Sequence, residues 1–381
     1  MLIEKMGIAG KKVLLTTSHK DIRSGGAVQM YLLAKELVSS GAIVHAAFPY
    51  ASGTLEERRL KRLEDIGIDL HFFGMNWASL VQLRRMRALL LAQQFDIIHA
   101  HKGDDLALVL ASSIGIKIPV LCTTRGVNFP LGFNRVKYRP SKLDRIIVVS
   151  EDSKQIVARC GVDPAKIEVI TGGVDLSIFK PGLDGLSLRR KWGVPDYASL
   201  SCVVANLVWQ KGHFVYLHAA SLLKPDFPDL FHVFAGTGNV QRYQEKASQL
   251  GVSDRVIFAG FVDEPQMVYN ASTFSVFPGI TGEGISGILR EAMACGLPVI
   301  TSDVGGNTEL IRHGVNGLVV PTGDPKALAQ AIRTLLKNPG YARILAMKGR
   351  HEVTSYHFSQ MRVRKIFNLY QRIAVSKGYR W

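Results

Sequence analysis

Two glutamates eight residues apart frame the part of this sequence with the densest chemical content. In Phe277-Pro278-Gly279-Ile280-Thr281-Gly282-Glu283-Gly284-Ile285-Ser286-Gly287-Ile288-Leu289-Arg290-Glu291, an apolar run gives way to glycine-rich chain and then to a helix predicted to begin near Ile285. Ile288, Leu289, Ala292 and Met293 recur at helical spacing and mark a buried stripe, which leaves Gly287 and Glu291 together on another face. One carboxylate thus precedes a helix and another lies about two turns along. At helical rise that separation spans roughly 12 Å, the reach of a sugar–diphosphate–ribose unit. The helix N-terminus between the two acids, Gly284, Ile285, Ser286 and Gly287, offers N–H groups and partial positive charge that suit the diphosphate. Alone, two such acids read as helix electrostatics and a solvated surface charge. The glycine-rich turn, the strand before it and the exit Cys295-Gly296-Leu297-Pro298-Val299-Ile300 into another strand are more restrictive.

The elements that must hold these residues are short β-branched runs alternating with amphipathic stretches, the pattern of βα units and helix-covered parallel sheets. Strands are predicted at 12–17, 43–48, 96–99, 119–123, 145–150 and 167–171, with helices between them, as at 27–39 and 77–93. A Pro/Gly-rich break at Lys180 to Gly185 follows, and the pattern restarts with strands at 201–206, 232–235, 256–259, 274–277 and 298–302. The expected architecture is α/β, two Rossmann-like domains, and in such open sheets ligands bind beyond the carboxyl ends of the strands.

Composition narrows the classes. With 381 residues, 47% hydrophobic and 20% charged, the chain is neither disordered nor collagen-like. The longest apolar stretch, Leu106 to Ile116, falls short of the ~20 residues of a membrane span. Only Val13 to Leu15 follow Lys11 and Lys12 as an apolar run, against the ~7 to 15 of a signal peptide, so cytoplasmic residence is the expectation. Four scattered cysteines suggest neither a disulfide framework nor a zinc site.

The chain resembles the glycosyltransferase group 1 family, retaining nucleotide-sugar-dependent enzymes of the GT-B fold. Glu283 to Glu291 with its Ala-Met-Ala-Cys-Gly-Leu-Pro-Val exit resembles the family's E-x7-E signature. Collinear matches are Ser24-Gly25-Gly26-Ala27, Asp96-Ile97-Ile98-His99-Ala100-His101, Asp144 to Ser150, Gly172 to Asp175, Gln210-Lys211-Gly212, Ala235 to Gly238, and Asp303 to Gly306 with Glu309. The resemblance implies GT-B architecture with parallel sheets facing a central cleft: an acceptor-side domain over 1–181, a nucleotide-sugar domain over 182–357, and a C-terminal helix in 358–381 that packs back on the first domain. It further implies that Glu291 accepts from the ribose hydroxyls and Glu283 from the transferred sugar. Lys211 would neutralise the departing diphosphate, and the Gly25-Gly26 turn would bring backbone N–H groups to the same phosphates.

Two positions depart from the pattern. Asn206 stands where the family usually has Arg, shifting phosphate binding onto Lys211 and the helix N-terminus. Arg125 stands where it usually has His; a guanidinium cannot accept a hydrogen bond, which suits an anionic sugar or acceptor. Of the strand-end histidines, one is expected in the core and the other, His101, at the site. Asp104 and Asp105 after them fit a solvated turn as well as a nucleophile. No Asp-x-Asp occurs, so no metal and no cofactor beyond the donor are expected.

An oxidoreductase should carry GxGxxG, and the nearest candidate, Gly236 to Gln241, has Gln at its last position. A sugar-nucleotide epimerase of the same fold differs only through the E-x7-E resemblance. A nucleic-acid binder would explain the net charge of +16, but the site motifs lie on a neutral stretch and no nucleic-acid-binding module is visible. The charge instead falls on the first half and the tail, with Arg84, Arg85, Arg87, Arg135, Lys137 and Arg139 among its carriers. Two accounts stay open: a solvated basic surface, or contact with anionic lipid or a lipid-linked acceptor of envelope polysaccharide or lipopolysaccharide synthesis.

Overall fold

The structure is a computed structural model, and it describes residues 7–19, 25–49, 60–74, 79–126, 136–282 and 284–381. The chain forms two compact units: Met1–Gly173 with Ser359–Trp381, and Val174–Phe358. The division falls earlier than the Pro/Gly-rich break, because Val174 already pairs with the second unit, in a parallel bridge to Phe358 with its N–H on the His357 carbonyl.

In the first unit, β1 (Lys12–Thr16), β2 (Ile43–Pro49), β3 (Asp69–Phe73), β4 (Ile97–Ala100), β5 (Val120–Arg125), β6 (Arg145–Val148) and β7 (Ile167–Val169) form one parallel sheet ordered β3-β2-β1-β4-β5-β6-β7. In the second, β8 (Ser199–Val204), β9 (Leu230–Ala235), β10 (Val256–Gly260), β11 (Phe274–Phe277), β12 (Val299–Ser302) and β13 (Leu318–Val320) are ordered β10-β9-β8-β11-β12-β13. Each strand order reverses once, between β1 and β4 and between β8 and β11. Those reversals are where open α/β sheets leave a crevice at the carboxyl ends of their strands.

β3 and β13 carry no strand pattern strong enough to predict. In β3, Asp69-Leu70-His71-Phe72-Phe73 alternates over four residues only, and β13 has three residues. Both are outer strands positioned by a neighbour, β3 by β2 and β13 by β12.

The helix Ser359–Ser376 lies in the first unit. Its Val363, Ile366, Phe367, Leu369, Tyr370, Ile373 and Ala374 share a buried cluster with β1, β2 and the helix Gly25–Ser39. Lys377 fixes its end by pairing with Asp144 at 2.7 Å.

Candidate functional site

At the β8/β11 reversal the two departing loops interlock. Gly212 has φ +73°, and a Cβ there would stand 1.6 Å from the Pro278 carbonyl oxygen, so only glycine fits. The Ile280 N–H donates to the Gln210 carbonyl at 2.8 Å. Gln210-Lys211-Gly212 is thereby fixed against Pro278-Gly279-Ile280, and the half-buried Lys211 carries its Nζ 5.4 Å from the Phe277 ring centre. The turn after β9 approaches as closely: a Cβ on Gly236 would meet the Ala205 oxygen at 2.1 Å. Exposed Asn206 is occupied there, its Oδ1 accepting from the Thr237 hydroxyl at 3.1 Å.

The helix after β11 runs Gly287–Ala294, starting two residues later than the sequence pattern places it. Ser286 is extended (φ −65°, ψ 130°), and its N–H is taken by the Oδ1 of fully buried Asn307 at 3.0 Å. Asn307 is anchored in turn on Thr301 Oγ1 at 3.2 Å. The first turn holds no acid, and no side chain among the described residues caps it. Gly284, Ile285, Ser286 and Gly287 therefore lead into an open helix N-terminus. Glu283 lies outside the described residues.

Glu291 is half-buried and accepts a hydrogen bond from the buried Tyr269 hydroxyl at 3.0 Å. Burial raises its carboxyl above the usual range, while Tyr269 and neighbouring Arg290 pull the other way. The position a Gly287 Cβ would take is 3.8 Å from both Glu291 Oε1 and an Arg290 terminal nitrogen. Burial likewise depresses the Arg290 guanidinium, to about 10. His213, under the Lys211 turn, is buried neutral, its pKa lowered to about 4, with its Nε2 on the Asn206 carbonyl at 2.9 Å.

The first unit's reversal is built differently. Fully buried Asp105 accepts on Oδ2 from the Thr16 hydroxyl (2.9 Å) and from the N–H groups of His101 (2.9 Å) and Lys102 (3.2 Å). It is the third residue of the helix Gly103–Ser112, whose N-terminus it closes, so it is not part of a solvated turn. His99 and His101 do not diverge into core and site: strand residues two apart share a face, and these rings stack at 4.3 Å, both buried. His99 is spent on Tyr370 (2.6 Å) and Thr124 (2.7 Å), and burial holds both histidines neutral. Arg125 ends β5 half-buried, its guanidinium 5.5 Å from the Tyr138 ring centre. Gly25 and Gly26 form the exposed start of the helix Gly25–Ser39 rather than a turn.

Tyr269, Arg290 and Asn307 carry no signal in the sequence pattern, and Asp105, open there between a solvated turn and a nucleophile, is a helix-capping residue. An Asp at the third helical position is a capping signal; the other three take their roles from tertiary neighbours.

A family model described as glycosyl transferases group 1 matches residues 186–352, and one described as Glycosyltransferase Family 4 matches 23–178. The chain is 31% identical over 304 residues to the putative glycosyltransferase EpsD of Bacillus subtilis, covering 74% of this chain and 78% of EpsD. Against other curated relatives the match spans between 46% and 66% of their length. Among solved structures it is similar to HepE of Anabaena in complex with UDP and glucose (TM-score 0.81, 21% identity, 94% of this chain and 99% of HepE). It is similar also to the lipopolysaccharide outer core galactosyltransferase WaaB in its apo form (TM-score 0.71, 15% identity, 96% and 99%). These likenesses show the fold, two Rossmann-like domains of the GT-B class.

Proposed function

Because the chain belongs to the group 1 glycosyltransferases, we propose that it moves a sugar from a nucleotide-sugar to a hydroxyl acceptor, with retention at the anomeric carbon and without a metal. The supporting observation is the open N-terminus of the helix Gly287–Ala294 with Glu291 held beside it by Tyr269. A carboxylate so placed orients a ribose diol, the helix N-terminus receives phosphate, and Lys211 answers the charge that grows on the leaving diphosphate. Glu283 is assigned to the transferred sugar.

HepE was solved with UDP and glucose, which makes uridine diphosphate sugars the first to test. Calorimetry of UDP, GDP, ADP and CMP against wild type and Glu291→Ala is the experiment. Loss of a charge-assisted acceptor is expected to weaken the cognate nucleotide about 10- to 150-fold. Equal affinity in both proteins would defeat the ribose assignment.

For the acceptor side we propose contact with anionic lipid, as suits envelope polysaccharide or lipopolysaccharide synthesis. The first unit carries 30 Lys and Arg against 16 Asp and Glu, and the second 17 against 15. On the helix Leu80–Gln93, Leu80 (72% exposed), Val81 and Leu91 stand with Arg84 on the outer side. Arg85 and Arg87 are instead engaged on the carbonyls of Phe72, Ser112 and Ile114. Arg135 lies outside the described residues. Wild type should sediment with anionic but not neutral vesicles, less so with added salt, and Leu80→Ser with Arg84→Ser should reduce binding several-fold. No sedimentation at low salt would point to a soluble acceptor.

A further inference from the structure

We propose that Arg290 is a phosphate-binding residue, the counter-charge for the donor's diphosphate at the first turn of the helix Gly287–Ala294. This deepens the donor reading above and rests on it. An arginine in an amphipathic helix ordinarily reaches water; Arg290 is 4% exposed. Its guanidinium folds back toward the helix start, donating from Nη1 to the Ile285 carbonyl at 3.3 Å. Its Nε finds no hydrogen-bond partner among the described residues. No carboxylate among the described residues forms an ion pair with it: Oε2 of neighbouring Glu291 accepts from the Tyr269 hydroxyl.

A buried, under-paired guanidinium is costly to the fold, and such groups are retained where a partner arrives to complete them. The space beside it has the shape of that partner's seat. Gly287 leaves out a side chain whose Cβ would be 3.8 Å from an Arg290 terminal nitrogen and 3.8 Å from Glu291 Oε1. A group resting on Gly287 therefore meets a cation on one side and an acceptor on the other, with uncapped helix N–H groups in front. A phosphate joined to a ribose diol satisfies all three.

Charge balance points the same way. Across the two interlocked loops, residues 205–212 and 278–286, Lys211 is the single basic side chain. A diphosphate carries at least two negative charges, and a helix terminus supplies roughly half a unit. Arg290 makes up the difference from within the helix that receives the ligand.

The test compares wild type, Arg290→Gln, Arg290→Lys and Arg290→Leu by calorimetry with UDP, GDP and ADP and with uridine, guanosine and adenosine. Arg290→Gln should weaken the cognate diphosphate about tenfold or more while leaving the nucleoside within about twofold, and Arg290→Lys should recover part of the loss. The salt dependence of diphosphate binding should be shallower in Arg290→Gln. Unchanged diphosphate affinity, or equal losses for diphosphate and nucleoside, would overturn the inference. A wild type that binds none of the diphosphates would overturn the donor reading itself. Without ligand, Arg290→Leu should melt at or above wild type, since it removes a buried charge; a large fall in both Gln and Leu variants would assign Arg290 to the fold alone.

Discussion

The two sheets reverse their strand order in the same way, yet the helices that follow one strand of each reversal, β4 and β11, are finished oppositely. In the first unit Asp105 supplies its own carboxylate to the chain entering the helix Gly103–Ser112, and the histidines above it are stacked and neutral. In the second, the helix Gly287–Ala294 starts on glycine with no acid in its first turn, and a buried arginine lies behind it. A helix N-terminus attracts anions wherever it occurs. What differs is whether the protein fills that demand itself. After β4 the first unit does so with Asp105; after β11 the second leaves the demand unmet.

Filling the open end should erase the difference. Gly287→Asp would place a carboxylate beside Arg290, and the backbone there is ordinary enough to accept a side chain. Melting temperature should change little, since the new carboxylate meets Arg290 on one side and Glu291 on the other, while nucleoside diphosphate affinity falls more than about 100-fold. A variant that still binds would break the comparison.

Removing the second cation sharpens it. Lys211→Ala should lower kcat about 100-fold, more than it weakens donor binding, because charge on the leaving diphosphate grows as the glycosidic bond breaks. Steady-state kinetics with unchanged kcat/KM would refute the role.

The smallest effect is on the closed end. Burial raises the Asp105 carboxyl to about 7, against 3.8 for the ordinary group. Below about pH 4 both folded and unfolded states hold the proton, and the folded state is not penalised. Between roughly pH 4 and 7 the unfolded chain ionises and the folded chain does not, so this group's contribution to stability is lost as pH rises and levels off beyond 7. Asp105→Asn removes that slope. The melting temperature of wild type minus that of Asp105→Asn should therefore be larger at pH 5 than at pH 8, with the opposite order ruling out a carboxyl held protonated.

The open end was largely legible in the sequence, because glycines that a backbone needs are visible as glycines. Gly212 and Gly236 stand in motifs, and the structure shows the close approaches that require them. The place of Glu291 beside Gly287 on one helix face was legible by its spacing. Arg290 was not: a helical pattern reads a charged residue beside Leu289 as solvated, and only the bond to the Ile285 carbonyl turns it inward. Tyr269 comes from another helix, 22 residues away in sequence, so no local pattern could connect it to Glu291. The histidines fail for a simpler reason, since the expectation of divergence ignored the two-residue period of a strand. Strands β3 and β13 were illegible because their neighbours, not their composition, position them.

The helix Ser359–Ser376 imposes a timetable on biosynthesis. Its apolar face fills the cluster around β1 and β2, yet the 185 residues of Val174–Phe358 leave the ribosome first. At roughly 5 to 20 residues per second, the first-made half waits roughly 10 to 40 s for the piece that seals it. The half made later, complete within its own stretch of chain, can fold ahead of it. During that interval the nascent first half presents an apolar groove to the cell, making it the natural client of chaperones and the step at which a truncated message would yield an aggregating product.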